Sequence, residues 1–161
     1  MLVPKLKKNL NSDVEAARLA ALRFLMRREH SQLELTTKLQ RHEFSKTLIQ
    51  STVEALASEG LQSDQRFAEA YLRYRSQRGF GPFRIEQELS IRGVSGAVIQ
   101  QAMLKEAIDW DELIVKIYRK QFGETFPQDV YEKKRRQNFL KQRGFSNAQI
   151  AFVLLERAQS D

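Results

Sequence analysis

Side chains able to do acid–base, metal or nucleophilic chemistry are few in this chain and far apart. There are two histidines, His30 and His42, and no cysteine. A thiol nucleophile, a disulfide or a zinc finger would need Cys. A catalytic triad needs a nucleophile, a base and an orienting group, and no motif supplies them. There is no His-Glu-x-x-His, the helical spacing that places two imidazoles on one metal. Both histidines therefore read as surface or capping residues. Glu86 and Glu88 alternate with basic residues and read as carboxylates on a helix surface. Nuclease chemistry would need several acids converging on Mg²⁺. The chain is read as a non-enzyme with no cofactor and no metal.

Anion binding has more support. Gly79-Phe80-Gly81-Pro82 lacks the Lys-Ser/Thr of a phosphate-binding loop and follows a helical pattern instead of a strand. It reads as a tight interhelical turn, with an anion contact at the following helix start, helped by Arg78 and Arg84, as the other reading. Basic clusters recur: Arg73-Tyr74-Arg75 with Arg78, then Lys116 with Arg119-Lys120, then Lys133-Lys134-Arg135-Arg136 with Lys141 and Arg143. Tyr71, Phe80, Tyr118, Tyr131 and Phe139 lie among them. Charge that holds phosphates and rings that stack on bases are what single-stranded nucleic acid needs. Phe67, Tyr71 and Tyr74 also recur at helical spacing, which places Phe67 and Tyr71 in a core and leaves Tyr74 open to either role.

The elements that must position these groups are helices. Seven glycines and three prolines in 161 residues are too few for an all-β domain with a turn every few residues. Three segments are self-similar, beginning at Leu35, Ile85 and Arg136. Leu39, Leu89 and Leu140 correspond, as do Phe44, Val94 and Phe145, then Ser45, Ser95 and Ser146, then Ile49, Ile99 and Ile150. The Leu closes one helix, and Gly93 or Gly144 takes the left-handed conformation that ends it. The apolar residue folds back, and the Ser caps the next helix. Ile49/Val53/Leu56, Ile99/Met103 and Ile150/Val153/Leu154 form the buried stripes of the third helices. Glu43 stands where the other copies have Gly, so a differently shaped turn is expected there. Capping boxes at Ser12–Glu15, Ser31–Glu34 and Ser146–Gln149 and a first-turn Pro82 mark further helix starts. The expected fold is all-α: a loosely attached or disordered segment 1–12, then three-helix repeats at 13–60, 61–108 and 109–161. The first helices of the repeats are placed near 13–28, 64–78 and 110–122, and stacked repeats would form an elongated curved rod.

Charge follows the same division. The net of +7 splits into ten basic and seven acidic groups before residue 61, seven and five up to 108, and ten and eight thereafter. An excess shared by all three repeats suits an extended contact with a polyanion or an acidic protein more than one patch. The longest apolar run, Ile150–Leu155, is too short for a membrane span, and no apolar leader opens the chain. A cytoplasmic monomer without membrane contact is expected.

At these residues a family resemblance enters. The run from Arg75 to Val94, with Gly79-Phe80-Gly81-Pro82 and Arg92-Gly93 inside it, resembles the central signature of the bacterial RecX family. Ala20–Leu39 resembles its first-repeat signature, Glu59–Ala68 its repeat junction and Phe139–Phe145 its third repeat. The similarity spans about residues 14–158. Departures are Glu43 and the Gln62-Ser63 pair ahead of Asp64, and both fall in turns. The resemblance implies tandem three-helix repeats and no catalysis. It implies binding in the groove of the RecA–single-stranded DNA filament, with inhibition of filament extension, ATP hydrolysis and strand exchange, and weak binding to bare DNA. The expected contact residues are Arg73, Arg75, Arg78, Arg84 and Arg92 in the middle repeat, with Lys38, Arg41, Arg136, Lys141 and Arg143 in the outer ones. The alternative is a stand-alone DNA-binding protein whose helix–turn–helix-like repeats track a duplex.

Overall fold

The computed structural model describes residues 10–158. Among them are nine α-helices and no strand: α1 (Leu10–Leu25), α2 (Gln32–Leu39), α3 (Lys46–Ser58), α4 (Asp64–Gln77), α5 (Pro82–Ile91), α6 (Gly96–Glu106), α7 (Trp110–Phe122), α8 (Val130–Arg143) and α9 (Asn147–Ala158). The chain divides into two compact units, Met1–Phe67 and Ala68–Asp161.

In the first unit α1, α2 and α3 pack against one another around Ala21, Leu35, Leu39, Ile49, Val53 and Leu56. Each of the larger side chains contributes about 1.5–3 kcal/mol by leaving water. In the second unit α5 packs on α6, and α7 and α8 pack on α9. The core of the last three helices is Ile114, Tyr118, Leu140, Phe145, Ile150 and Val153. Leu72, Ile85, Leu89 and Ile99 are buried in the helices before them, and Val94 in the turn between α5 and α6.

The repeat pattern and the burial pattern coincide. Leu39, Leu89 and Leu140 are each fully buried, and so nearly are Ile49, Ile99 and Ile150. Gly93 and Gly144 have φ of 81° and 97°. The amides that follow them, Val94 and Phe145, donate back to Leu89 and Leu140 at 3.1 and 3.2 Å, a closing bond that satisfies a carbonyl at the helix end. Ser45, Ser95 and Ser146 cap α3, α6 and α9 by accepting from Leu48, Val98 and Gln149. Gln149 returns the bond to the Ser146 amide at 2.8 Å. The first copy turns differently. Glu43 is not left-handed, and the chain reverses through Arg41 N–H to Lys38 and His42 N–H to Leu39.

Two expectations fail. α1 begins at Leu10, not after Ser12, and ends at Leu25. Ser12 is therefore inside the first turn and does not cap it. The helix-forming Leu10 and the first-turn Asp13 favour the earlier start. Of the expected loose segment, residues 1–9 lie outside the described residues and 10–12 are helical. His30 is 2% exposed, so of the surface and capping readings the surface one fails. Its Nδ1 meets the Arg28 carbonyl at 3.0 Å, its own carbonyl accepts from Gln62 Nε2 at 3.1 Å, and its ring packs near Phe24.

Candidate partner-binding surface

The basic surface of the second unit is built around one carboxylate. α5 carries Arg84 and Glu88, and Arg92 at its C-terminal cap, at successive i,i+4 positions, which share a helix face. α4 presents Tyr71 and Arg75 to the same place. Glu88 accepts from Arg75 Nε at 2.8 Å and Nη2 at 2.7 Å, from the Tyr71 hydroxyl at 2.8 Å and from Arg84 Nε at 3.1 Å. Burial disfavours the Glu88 charge, but these hydrogen bonds outweigh it and hold its pKa down at about 2. Burial, then the bond to Glu88, pushes Tyr71 up to about 12. Glu88 is thus a half-buried organiser and not the surface carboxylate expected from its alternation with bases. The signal was its spacing midway between Arg84 and Arg92.

Aromatic faces hold the same arginines from the other side. The guanidinium carbons of Arg75, Arg84 and Arg143 lie 3.7, 4.5 and 4.9 Å from the Phe80 ring centre. Arg92 lies over Tyr71 and donates to the Glu88 carbonyl. Arg143 also lies over Phe139 and donates to the Arg78 carbonyl. Planar cations fixed by ring stacking and a shared carboxylate lose less rotamer freedom when a partner arrives. Arrays of this kind suit carboxylate or phosphate groups.

The Gly79–Pro82 turn positions the array. Gly79 is left-handed at φ 83° and ends α4. Gly81 N–H donates to the Arg143 carbonyl at 2.7 Å, and Phe83 N–H to the Gly144 carbonyl at 3.0 Å. The start of α5 is therefore occupied by the end of α8, two complementary helix-dipole poles in contact. This overturns the anion reading of the turn, because the amides an anion would need are spent within the protein. Arg84 Nη1 reinforces the junction by donating to the Gln142 carbonyl.

The remaining expected residues fall into distinct settings. Arg73 is exposed and pairs with Glu106. Arg78 is exposed and lies over Tyr74, which is itself half exposed. Lys141 is exposed. In the first unit Lys38 lies over Phe24, and Arg41 is exposed. Arg136 does not belong on a binding surface. It is 3% exposed and donates to the Tyr118 hydroxyl and the Thr125 carbonyl at 2.6 Å each, and to Glu132 at 2.6 Å. Its place in the repeat is that of Leu35 and Ile85, both fully buried, so the alignment itself carried the warning. Among the described residues no group of His, Asp and Glu could hold a metal ion, and no helix is long and apolar enough to cross a membrane.

Known proteins share this architecture and this sequence. A family model for the first three-helix domain of RecX matches residues 17–56, and one for the second matches residues 63–103. The chain is 39% identical over 146 residues to the regulatory protein RecX of Pseudomonas putida, covering 91% of this chain and 94% of that one. It is 43% identical over 136 residues to that of Halorhodospira halophila, covering 84% of each. The crystal structure of RecX from Lactobacillus salivarius shares the fold, with a TM-score of 0.75 at 20% identity over 92% of this chain and 99% of the other. These relatives are named as regulatory proteins and not as enzymes. Helical repeats in the expected order, signature residues at the turns and identity across nearly the whole length agree: the chain belongs to the RecX family.

Proposed function

We propose that the chain is a negative modulator of the RecA recombinase, binding in the groove of the RecA–single-stranded DNA filament and restraining filament extension, ATP hydrolysis and strand exchange. The observation that carries this reading is the match over 91% of the chain to a relative named regulatory protein RecX. The cation array around Glu88 and Phe80 supports it, because held guanidinium groups suit the carboxylates of a protein groove or the phosphates of DNA lying in it.

The contacts are assigned to Arg73, Arg78, Arg84, Arg92, Lys141 and Arg143 in the second unit and to Lys38 and Arg41 in the first. Arg75, bound twice by Glu88, orients the array more than it meets the partner. A bound modulator shifts the filament only by its differential affinity for two filament states. Contacts with more than one protomer would give such a difference wherever two filament states differ in protomer spacing. A cytoplasmic monomer acting without membrane contact completes the reading.

The test adds the protein to RecA filaments while ATP hydrolysis and filament length are followed. Inhibition by the native chain, weakened by Arg78→Glu with Lys141→Glu, is expected. Arg75 is left intact because reversing it would break the fold at Glu88. No effect on either readout sinks the reading. Tight binding to bare DNA with a steep salt dependence would instead favour a stand-alone DNA-binding protein.

A further inference from the structure

A groove of about 760 Å³ runs in the second unit between the end of α4 and one face of α7. Its lining combines an apolar strip and cations with two acids at one end. Ile108, Leu113 and Ile117 are half-buried and apolar, whereas Arg78, Lys116 and Lys120 are exposed cations. Among the described residues no carboxylate pairs with Lys116 or Lys120. Two like charges one helical turn apart repel slightly; Glu112, one turn before Lys116, offsets part of this at the α7-start end, and no described carboxylate forms an ion pair with Lys120.

We propose that this groove binds an acidic peptide segment bearing apolar side chains, supplied by the protein partner. The proposal deepens the reading above by naming the chemistry of the partner segment, and it rests on that reading for the partner's identity. Charge complementarity sets the sign of the occupant, and the apolar strip sets its class. An interface core is apolar with a charged rim, which is the arrangement present. A nucleic acid strand fits less well for two reasons. Asp109 and Glu112 line the α7-start end of the groove, where an evenly charged phosphodiester chain would be repelled. Phe80, the aromatic residue of the lining, is already engaged by the guanidinium groups of Arg75, Arg84 and Arg143, which compete with a base for its ring. A peptide can place an apolar residue over the strip and confine its carboxylates to the Lys116–Lys120 end.

Fluorescence anisotropy tests this with the full chain and a labelled peptide in which Glu and Asp alternate with Leu. Binding is expected, weaker for the same peptide with Gln and Asn in place of the acids, and reduced by added salt. Lys116→Glu with Lys120→Glu, both at exposed positions, should weaken it at least about tenfold while circular dichroism stays unchanged. No binding by the native chain, or equal binding by the double variant, overturns the proposal. So does an oligothymidylate whose binding the double variant loses while peptide binding is retained. The double variant is then assayed on RecA filaments. If peptide binding is lost and inhibition persists, the groove stands and its partner is another protein. If the native chain binds the peptide and never inhibits RecA, the groove stands and the functional reading falls.

Discussion

Gly81 and Gly144 lie in backbone contact: a Cβ on Gly81 would come within 2.6 Å of the Gly144 carbonyl carbon and oxygen. On Gly144 it would meet Arg84 Cβ at 2.4 Å. The two residues come from different repeats of the second unit, and their hydrogen bonds join α5 to α8.

Gly81→Ala should therefore destabilise the protein by roughly 2 kcal/mol or more, because backbone cannot yield as a flexible side chain can. Gly96→Ala is the control. A Cβ there meets nothing within 4 Å and sits in a helix, so a gain of up to about 1 kcal/mol is expected. Urea unfolding of both variants measures the difference. Similar stabilities would refute the backbone contact.

The Glu88 network makes stability depend on acid. The carboxyl titrates at about 2 when folded against an ordinary 4.5, so the unfolded chain binds its proton first as pH falls. The stabilisation is complete above about pH 4.5 and is lost as pH drops toward 2. It amounts to roughly 2–3 kcal/mol. Glu88→Gln should cost a similar amount at neutral pH and flatten the acid limb of the stability profile. An unchanged limb in that variant would place the acid sensitivity elsewhere.

His30 acts in a milder range. Burial, set against the hydrogen bond to the Arg28 carbonyl, lowers its pKa from 6.5. The folded chain thus holds the ring neutral after the unfolded chain has taken a proton. Its contribution is present above pH 6.5 and diminishes as pH falls below it. Arg28 and Lys38 reinforce the direction, and Glu34 opposes it. Thermal melts of the native chain between pH 7 and 5 should show a loss of stability that His30→Leu no longer shows.

Arg136 gives a coupling measurement. Arg136→Leu restores the residue type of the first repeat but removes the short donations to the Tyr118 hydroxyl, the Thr125 carbonyl and Glu132, leaving only the longer bond of 3.3 Å from that hydroxyl to that carbonyl. A loss of about 1–3 kcal/mol is expected. Tyr118→Phe removes the same Arg136–Tyr118 bond from the other side, so the double variant should be less destabilised than the two single changes together. Strict additivity would show that the Arg136–Tyr118 bond is energetically silent.

The sequence made the repeats legible because their markers are local. A capping serine and a buried leucine each answer to neighbours a few residues away, and all three copies obey; the left-handed glycine holds in the second and third copies. The settings of the cations were less legible. Arg136, Arg75 and Arg78 look alike in the chain, yet one is buried against Tyr118, one is bound by Glu88 and one lies open over Tyr74. Those fates depend on which helix comes opposite, which spacing within a helix does not reveal. The turn at Gly79–Pro82 was ambiguous for the same reason, since the carbonyls that fill the start of α5 come from residues more than sixty positions later.

Joining α5 to α8 mainly through peptide groups separates two tasks that overlap only at Arg84 and Arg143. Amides and carbonyls are the same whatever residue bears them, so beyond Gly81 and Gly144 and the bond from Arg84 to Gln142 the seating of the second repeat on the third makes few demands on the surrounding side chains. The exposed cations, Arg73, Arg78 and Lys141 among them, are then free to be exchanged without disturbing the frame that presents them. Affinity for a partner can be tuned residue by residue on a mount that stays in place.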